Sequence, residues 1–357
     1  MKNILAALLM TAVLPALAQD TKTPPLNISG YLETYYNFDF NRPVNNTAPA
    51  FLYNFNRANE VNLNLGLIQA AYSTDRVRAN FALAAGTYMN SNYAAESGVL
   101  KNIYQANIGF RLSSKNNLWF DAGILPSHVG WESAIGKDNL TLSRSIAAEN
   151  SPYFETGAKL GYTSSSGKWY LSAMVLNGWQ RIQRPDGNTA PAFGTQVAFK
   201  PSSKVMLNSS TFIGNDKPDS LRGMRYFHDF YGVFQFSDKW SGTLGFDIGA
   251  EQKDKGSSHF YTWYTPNLII RYAASSKVAI VARAEYYHDP NGVIVATGAG
   301  GLRTWGYSTN LDYRILDNLL WRIEARSLNS PDNIFVKHQN RPVDNDFFLT
   351  TALAFNF

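Results

Sequence analysis

The chain has 357 residues, of which 45% are hydrophobic, 17% charged and 14% aromatic, with 32 Lys and Arg against 27 Asp and Glu. A disordered chain would carry more charge and fewer aromatic residues, so that class is excluded. The absence of cysteine excludes disulfide scaffolds, cysteine-based metal sites, thiol catalysis and a lipid-anchored N-terminal cysteine. The Lys and Arg residues form no basic run, so the net charge of +5 does not predict nucleic-acid binding.

The first eighteen residues have the three parts of a secretory signal peptide. A short positive start with Lys2 precedes an apolar core over residues 4–14, and Ala16, Leu17 and Ala18 form a small-residue cleavage motif. This core is shorter than the ~20 residues that a membrane-spanning helix needs. We predict that residues 1–18 are cleaved, that residues 19–27 form a periplasmic N-terminal segment, and that the mature protein leaves the cytoplasm.

From Ile28 onward, apolar residues recur at every second position, which predicts β-strands with one apolar and one polar face. The polar face of the first strand holds Tyr31, Glu33, Tyr35 and Asn37. The apolar face of the second strand is predicted to hold Val61, Leu63, Leu65 and Leu67. The apolar face of the last strand holds Phe347, Leu349, Leu353, Phe355 and Phe357.

The connections between the predicted strands alternate between short and long. Seven short and eight long connections join sixteen strands. An open sheet in lipid would leave two edges of unpaired amide groups, so the sheet must close. Short turns on one side and long loops on the other are typical of outer-membrane barrels. The predicted fold class is therefore all-β: a transmembrane antiparallel β-barrel, with short periplasmic turns and long extracellular loops, formed by one domain over residues 28–357.

Aromatic residues concentrate at the ends of the predicted strands. Amphipathic rings prefer membrane–water interfaces, so two aromatic girdles are predicted. Their members are Trp169, Trp179, Trp240, Trp305, Trp321 and Phe357. Trp119 and Trp263 fall on the polar face instead, where either they line the lumen or a bulge shifts them.

Three segments carry a resemblance to a known family. They are the opening run of residues 28–36 (ISGYLETYY), the long third loop from Gly130 to Tyr153, and the terminal aromatic Phe357. In these segments the chain resembles the outer-membrane porins of the OmpL-like "putative β-barrel porin" group, over essentially all of the mature chain. The resemblance implies a channel for passive diffusion, and it supplies no set of binding residues.

The polar faces are expected to line the lumen with basic and acidic residues in near balance. The predicted basic pore-lining residues are Arg78, Arg111, Arg271, Arg283, Arg322 and Arg326, and the lumen acids are Asp247, Glu285 and Glu324. A ring of arginines at one height would create a transverse field and select weakly for anions. In the alternative interpretation, neighbouring arginines and glutamates only neutralise one another.

The third long loop, residues 126–152, is a candidate constriction. Structureless loops of this length are uncommon and often functional. Its charged residues are Glu132, Lys137, Asp138, Arg144 and Glu149. We hypothesise that the loop folds into the barrel, with Glu132, Asp138 and Glu149 facing a wall of arginines. This wall would be formed by Arg271, Arg283, Arg322 and Arg326. The alternative is a surface flap.

No catalytic or metal-binding motif is present in the sequence. The five histidines lack metal-ligand spacing and are predicted to lie at the surface, and no G-x-S-x-G motif or phosphate loop occurs. We therefore predict a protein that is not an enzyme and has no cofactor and no bound metal. A lipid-hydrolysing Ser–His pair on the outer wall, involving His228, is the one catalytic alternative left open.

A sixteen-stranded wall encloses more space than its side chains fill, so we predict an outer-membrane porin for small hydrophilic solutes or ions. The expected partners are outer-membrane lipid, these solutes and further copies of the chain, and nucleic acid is not expected. One alternative is a channel specific for a sugar or an anion, with a stacking track of inward tyrosines: Tyr31, Tyr35, Tyr88, Tyr170, Tyr231 and Tyr287. The other is an adhesin or receptor that acts through its long loops.

Overall fold

The computed structural model describes residues 25–298 and 300–357, and the predicted signal peptide lies outside them. Sixteen strands close into one antiparallel barrel, in which each pairs with the next and the last pairs with the first. They are β1 (Leu26–Asp39), β2 (Val61–Ser73), β3 (Val77–Ala85), β4 (Ile103–Arg111), β5 (Asn117–Pro126), β6 (Phe154–Thr163), β7 (Trp169–Leu176), β8 (Ala192–Ser202), β9 (Val205–Gly214), β10 (Arg225–Gln235), β11 (Trp240–Gln252), β12 (Phe260–Ala273), β13 (Val278–Asp289), β14 (Leu302–Leu316), β15 (Leu319–Asn329) and β18 (Asn345–Asn356). The predicted strand number and closure are confirmed.

Eight long loops alternate with seven short turns, also as predicted. The long loops are L1 (40–60), L2 (86–102), L3 (127–153), L4 (177–191), L5 (215–224), L6 (253–259), L7 (290–301) and L8 (330–344). L2 contains helix α1 (Thr87–Asn92), L3 contains helix α2 (Ile146–Glu149), and L8 contains a hairpin of β16 (Phe335–Lys337) and β17 (Arg341–Val343). Short 3₁₀ segments occur at Gly98–Asn102, Gly136–Asp138, Asp219–Leu221 and His338–Asn340. Across 25–298 and 300–357, no helix has the length and apolar character to cross a membrane.

The outer wall is an apolar belt. Outward side chains such as Leu32, Phe81, Ile108 and Leu349 are exposed, whereas the residues between them face inward. Trp169, Trp240, Trp305 and Phe357 are exposed on this wall near strand ends, and Trp321 is half-buried there with its Nε1 donating to Thr351. The belt matches the predicted alternation on β1, β3, β4 and β18.

Trp179 does not lie on the outer wall, which is a correction to the predicted girdle. It belongs to L4, and its ring packs edge-on against Phe212 and Phe227, both buried on the inner face. The Arg225 guanidinium lies 5.2 Å from the centre of its ring. Because L4 turns inward after Leu176, the period of the strand no longer sets the direction of this side chain.

The prediction for the second strand holds before Asn64 and is wrong after it. Val61 is 77% exposed on the outer wall, as predicted, whereas Leu65 is 0% and Leu67 is 5% exposed and both face the lumen. The register between β1 and β2 shifts at this point, which marks a β-bulge. Asn64 lies at the shift, where its Nδ2 donates to Glu33 over 2.7 Å and its Oδ1 accepts from the Phe55 N–H over 3.0 Å. These polar contacts stabilise the extra residue, so the apolar run changes face.

Candidate functional site

L3 lies inside the barrel and is fixed at its start by His128. The Nδ1 atom of His128 is 2.6 Å from the Glu155 carboxylate on β6, and Nε2 is 2.8 Å from the Thr211 carbonyl on β9. Burial, the largest single effect, disfavours the charged ring, but Glu155, the Thr211 carbonyl and the charge of Asp229 together raise the pKa of His128. The prediction of a surface histidine is wrong here: His128 is 4% exposed. Because His128 lies in a loop, no period in the sequence indicated that its side chain would be buried against β6 and β9.

Two arginines of the barrel wall bind the backbone of L3. Arg322 donates to the carbonyl oxygens of Gly136 at 2.9 Å and Leu140 at 2.8 Å, while its Nε binds Asp312 at 2.7 Å. Arg283 donates to the Ser143 carbonyl at 2.7 Å. Both side chains are buried, so L3 is held across the lumen by charge-assisted hydrogen bonds.

Acidic residues on β13 and β15 neutralise much of the positive charge of Arg283 and Arg326. Glu285 lies 2.8 Å from Arg326 and 3.3 Å from Arg283, and Glu324 lies 3.2 Å from Arg283. The same two carboxylates accept backbone N–H groups of L3, Glu324 from Ser143 at 2.7 Å and Glu285 from Ile146 at 2.6 Å. Arg283, Arg326, Glu285 and Glu324 therefore form a compensated network in which each side chain also contacts the loop.

The acids of L3 form no ion pair with these arginines in the described part of the chain, contrary to the hypothesis from sequence, although the charges of Glu132 and Glu149 reach Arg283. Glu132 accepts from the Ser145 hydroxyl and N–H, and Asp138 pairs with Lys137 at 2.6 Å. Burial raises the pKa of Glu132, while the charge of Arg283 acts in the opposite direction. L3 presents its carbonyl oxygens to the wall because its acids are used to satisfy N–H and ammonium groups of the loops.

Arg144 also has a role that the sequence did not indicate. Its guanidinium is enclosed within L3 and donates to the carbonyl oxygens of Ser133 at 2.7 Å, Leu142 at 2.7 Å and Ala134 at 2.5 Å. These bonds join the two halves of the loop. Arg144 therefore maintains the shape of L3 and does not contribute charge to an open lumen.

Glu149 connects L3 to L1. Its carboxylate accepts the N–H of Tyr53 at 2.9 Å, the N–H of Asn54 at 3.3 Å and the Asn54 side-chain amide at 3.1 Å. Burial raises the pKa of Glu149 from 4.5 to about 7, against the effects of these donors and of Arg144. We refer to this contact as the Glu149 latch.

Apolar side chains fill the extracellular half of the barrel. One cluster joins Phe51 and Leu52 of L1, Ile146 of L3 and Phe335 of L8 to inward residues of the strands. A second cluster includes Tyr88, Met89 and Tyr93 of L2. Five tyrosines of the predicted stacking track are enclosed by this packing, so they do not face an open lumen: Tyr31, Tyr35, Tyr88, Tyr231 and Tyr287.

The half of the lumen near the short turns is polar and less tightly packed. Arg78 pairs with Asp121 at 2.6 Å, and its guanidinium lies 4.3 Å from the centre of the Trp119 ring. Trp119 thus faces the lumen, as does Trp263 in the upper half. Arg111 and Arg271 are partly exposed and form no ion pair with a carboxylate in the described part of the chain. This region, which we call the lower vestibule, retains uncompensated positive charge.

A Ser–His pair does occur on the outer wall. Ser209 Oγ lies 2.8 Å from His228 Nε2, and Thr195 and Thr211 form a second polar pair beside it at 2.6 Å. Within 25–298 and 300–357, no carboxylate bonds to the His228 ring. The pair therefore lacks the orienting acid that a Ser–His–Asp arrangement requires.

Comparisons with known proteins agree with this architecture. The structure is similar to OmpT of Vibrio cholerae, with a TM-score of 0.58, 10% identity, and coverage of 95% of this chain and 100% of that one. It is also similar to the outer membrane channel DcaP of Acinetobacter baumannii, with a TM-score of 0.58, 10% identity, and coverage of 93% and 97%. An anion-selective porin from Comamonas acidovorans gives a TM-score of 0.59, 9% identity, and coverage of 93% and 99%. A search of curated proteins gave no significant match.

The closed sixteen-stranded barrel, its apolar outer belt and the inward third loop define a porin of the outer membrane. The chain belongs to the family described as "Putative beta-barrel porin-2, OmpL-like", whose model matches residues 25–357. The family resemblance and the outer-membrane location predicted from the sequence are thereby confirmed.

Proposed function

We propose that this porin is a narrow diffusion channel for small hydrophilic solutes and ions, with L3 as its constriction. The observation that carries the proposal is the binding of L3 carbonyl oxygens by Arg283 and Arg322 from the opposite wall. A loop held in this way reduces the cross-section available to solutes. Sieving by size, with no reaction catalysed, is then the mechanism.

We further propose a weak preference for anions. The arginines that hold L3 are compensated by Glu285, Glu324 and Asp312, so they contribute little net field. Arg111 and Arg271 in the lower vestibule supply the excess positive charge. The bias is weak because these two side chains are partly exposed, so water and salt screen their charge.

Removing residues 137–148 tests the constriction. The variant loses most of the loop that contacts Arg283 and Arg322, and its single-channel conductance in planar bilayers is expected to rise about threefold as the cross-section grows. Removing residues 254–257 from the exposed loop L6 is the matched control, with no change expected. Equal conductance of the two deletion variants would exclude L3 as the constriction. The anion preference is tested separately by the reversal potential of the unmodified chain in a KCl gradient. A reversal potential of the sign expected for a cation-selective channel would exclude it.

A second candidate function is a receptor or adhesin that acts through its long loops. The apolar clusters of L1, L2, L3 and L8 in the extracellular half favour it, because they pack these loops together over the lumen. Such a protein would show no conductance, either unmodified or without residues 137–148.

We also propose that the chain forms homo-oligomers in the membrane. Support comes from OmpT, of which a trimer form has been solved, with a TM-score of 0.57 and 9% identity to this chain. Light scattering of the detergent complex measures the mass directly, and a mass of one chain per particle would contradict the proposal.

A further inference from the structure

Two indole rings flank an aspartate on the inner face of β11. Gly245, Asp247 and Gly249 occupy consecutive inward positions of this strand. A Cβ atom on Gly245 would lie 2.2 Å from the ring of Trp131, and one on Gly249 would lie 2.0 Å from the ring of Trp263. Only glycine lets the two rings lie this close to the wall, so Asp247 is placed between Trp131 of L3 and Trp263 of β12.

A second aspartate lies directly opposite Asp247. Asp229 is its register partner on β10, and the exposed fractions of the two residues are 0% for Asp229 and 3% for Asp247. The carboxyl groups contact each other. Asp229 Oδ2 accepts from Gly130 N–H at 3.3 Å and from Asn208 at 3.2 Å, but the Oδ1 atoms of both aspartates have no partner.

No basic residue in the described part of the chain pairs with either aspartate. His128, whose charge reaches Asp229, is paired with Glu155. Glu132 of L3 adds a further negative charge near Asp247. Adjacent buried carboxylates without compensation are strongly destabilising, so a proton or a cation must neutralise them.

Two neutral side chains decide between a proton and a cation. Thr265 is the register partner of Asp247 on β12, and Asn267 is the next inward residue of that strand. Both are 2% exposed, and neither the Thr265 hydroxyl nor the Asn267 amide has a hydrogen-bond partner. A shared proton would join the two carboxyl groups but would leave the Thr265 hydroxyl and the Asn267 carbonyl oxygen unsatisfied. A cation bound beside the carboxylates would accept both of these oxygens as ligands.

We propose that Asp229, Asp247, Thr265 and Asn267 bind one divalent cation of the calcium class, beside the indoles of Trp131 and Trp263. Within 25–298 and 300–357, no three Asp, Glu, His or Cys residues form a metal cluster. The ligand set is two carboxylates and two neutral oxygens, which is appropriate for a hard cation bound at about 10⁻⁴ to 10⁻³ M. The Trp131 indole N–H also lacks an acceptor, which a water ligand of the cation would provide.

Terbium luminescence tests the site, because the indoles adjacent to Asp247 can transfer excitation energy to bound Tb³⁺. The full chain in detergent, excited at the indole band, is expected to show saturable Tb³⁺ emission that Ca²⁺ displaces. Asp247→Asn is expected to weaken binding about tenfold, and Thr265→Val about threefold. Asp121→Asn is the control, because that buried aspartate is already paired with Arg78.

Equal Tb³⁺ affinity for Asp247→Asn and the unmodified chain would overturn the proposal. The absence of saturable emission, together with a midpoint of unfolding that responds to pH but not to CaCl₂, would show that the two aspartates share a proton instead. Thr265→Val keeps both carboxylates and carries the same test if Asp247→Asn does not fold.

Discussion

Arg322→Ala is expected to release residues 136–140 of L3 from the barrel wall and to raise single-channel conductance about twofold to fivefold. Arg322 is 0% exposed and holds the carbonyl oxygens of Gly136 and Leu140 together with Asp312. Removing one partner of a buried ion pair costs about 3–5 kcal/mol, because the other charge is left unpaired. Here Asp312 and the carbonyl oxygens of Gly136 and Leu140 all lose their donor, and water can replace it once L3 moves away from the wall.

The matched control is Arg314→Ala. Arg314 also lies on the inner face, on β14, but it is partly exposed and its guanidinium makes no hydrogen bond to L3. Both variants remove one positive charge, so both shift the reversal potential toward cations, whereas only Arg322→Ala is expected to widen the pore. A similar conductance change in both variants would show that charge, and not the position of L3, controls the current.

Conductance is also expected to fall as the pH is lowered from 8 to 5, through the Glu149 latch. We define the closed form as the conformation in which the Glu149 latch is formed; there the pKa of Glu149 is about 7, and its ordinary value is 4.5. If L1 moves away, Glu149 meets water and returns toward that ordinary value. Between pH 4.5 and 7 the closed form therefore binds more protons than the open form, so acid favours closure.

The sign and size of this effect follow from linkage. A raised carboxyl pKa in the closed form contributes stability that is present at low pH and is lost as the pH rises through about 7. A shift of this size corresponds to about 3 kcal/mol, or on the order of 100-fold in the ratio of closed to open channels. His128 also has a raised pKa, so it acts in the same direction to the extent that opening breaks its contacts with Glu155 and Thr211.

Glu149→Gln separates the two contributions. Glutamine keeps the shape and one acceptor of Glu149 but cannot titrate, so the pH dependence of the variant should be reduced to the part that His128 supplies. The probability of channel opening, recorded in bilayers at pH 5, 6, 7 and 8, measures it. An unchanged pH profile in Glu149→Gln would contradict the role of the latch. The same pH profile recorded for His128→Gln and for the double variant measures the contribution of His128 and any pH dependence that remains.

The network around L3 illustrates why part of the site could be predicted. Arg283, Arg322 and Arg326 alternate with outward residues, so their inward direction followed from the period of two along each strand. Asp247, Glu285 and Glu324 were identified in the same way. What these side chains contact could not be predicted, because the partners are carbonyl oxygens of a loop more than a hundred residues distant in the chain.

The strands, their number, the alternation of short turns and long loops, and the apolar belt could all be predicted from the sequence, because each depends on a local periodicity that lipid imposes on the strands. What fills the lumen depends instead on tertiary contacts. L3 could have remained outside, and the inward position of Trp179, the change of face at Asn64 and the enclosure of His128 depend on contacts between distant segments. Such contacts are selected by packing and by hydrogen bonding of buried polar groups, which leave no period in the sequence.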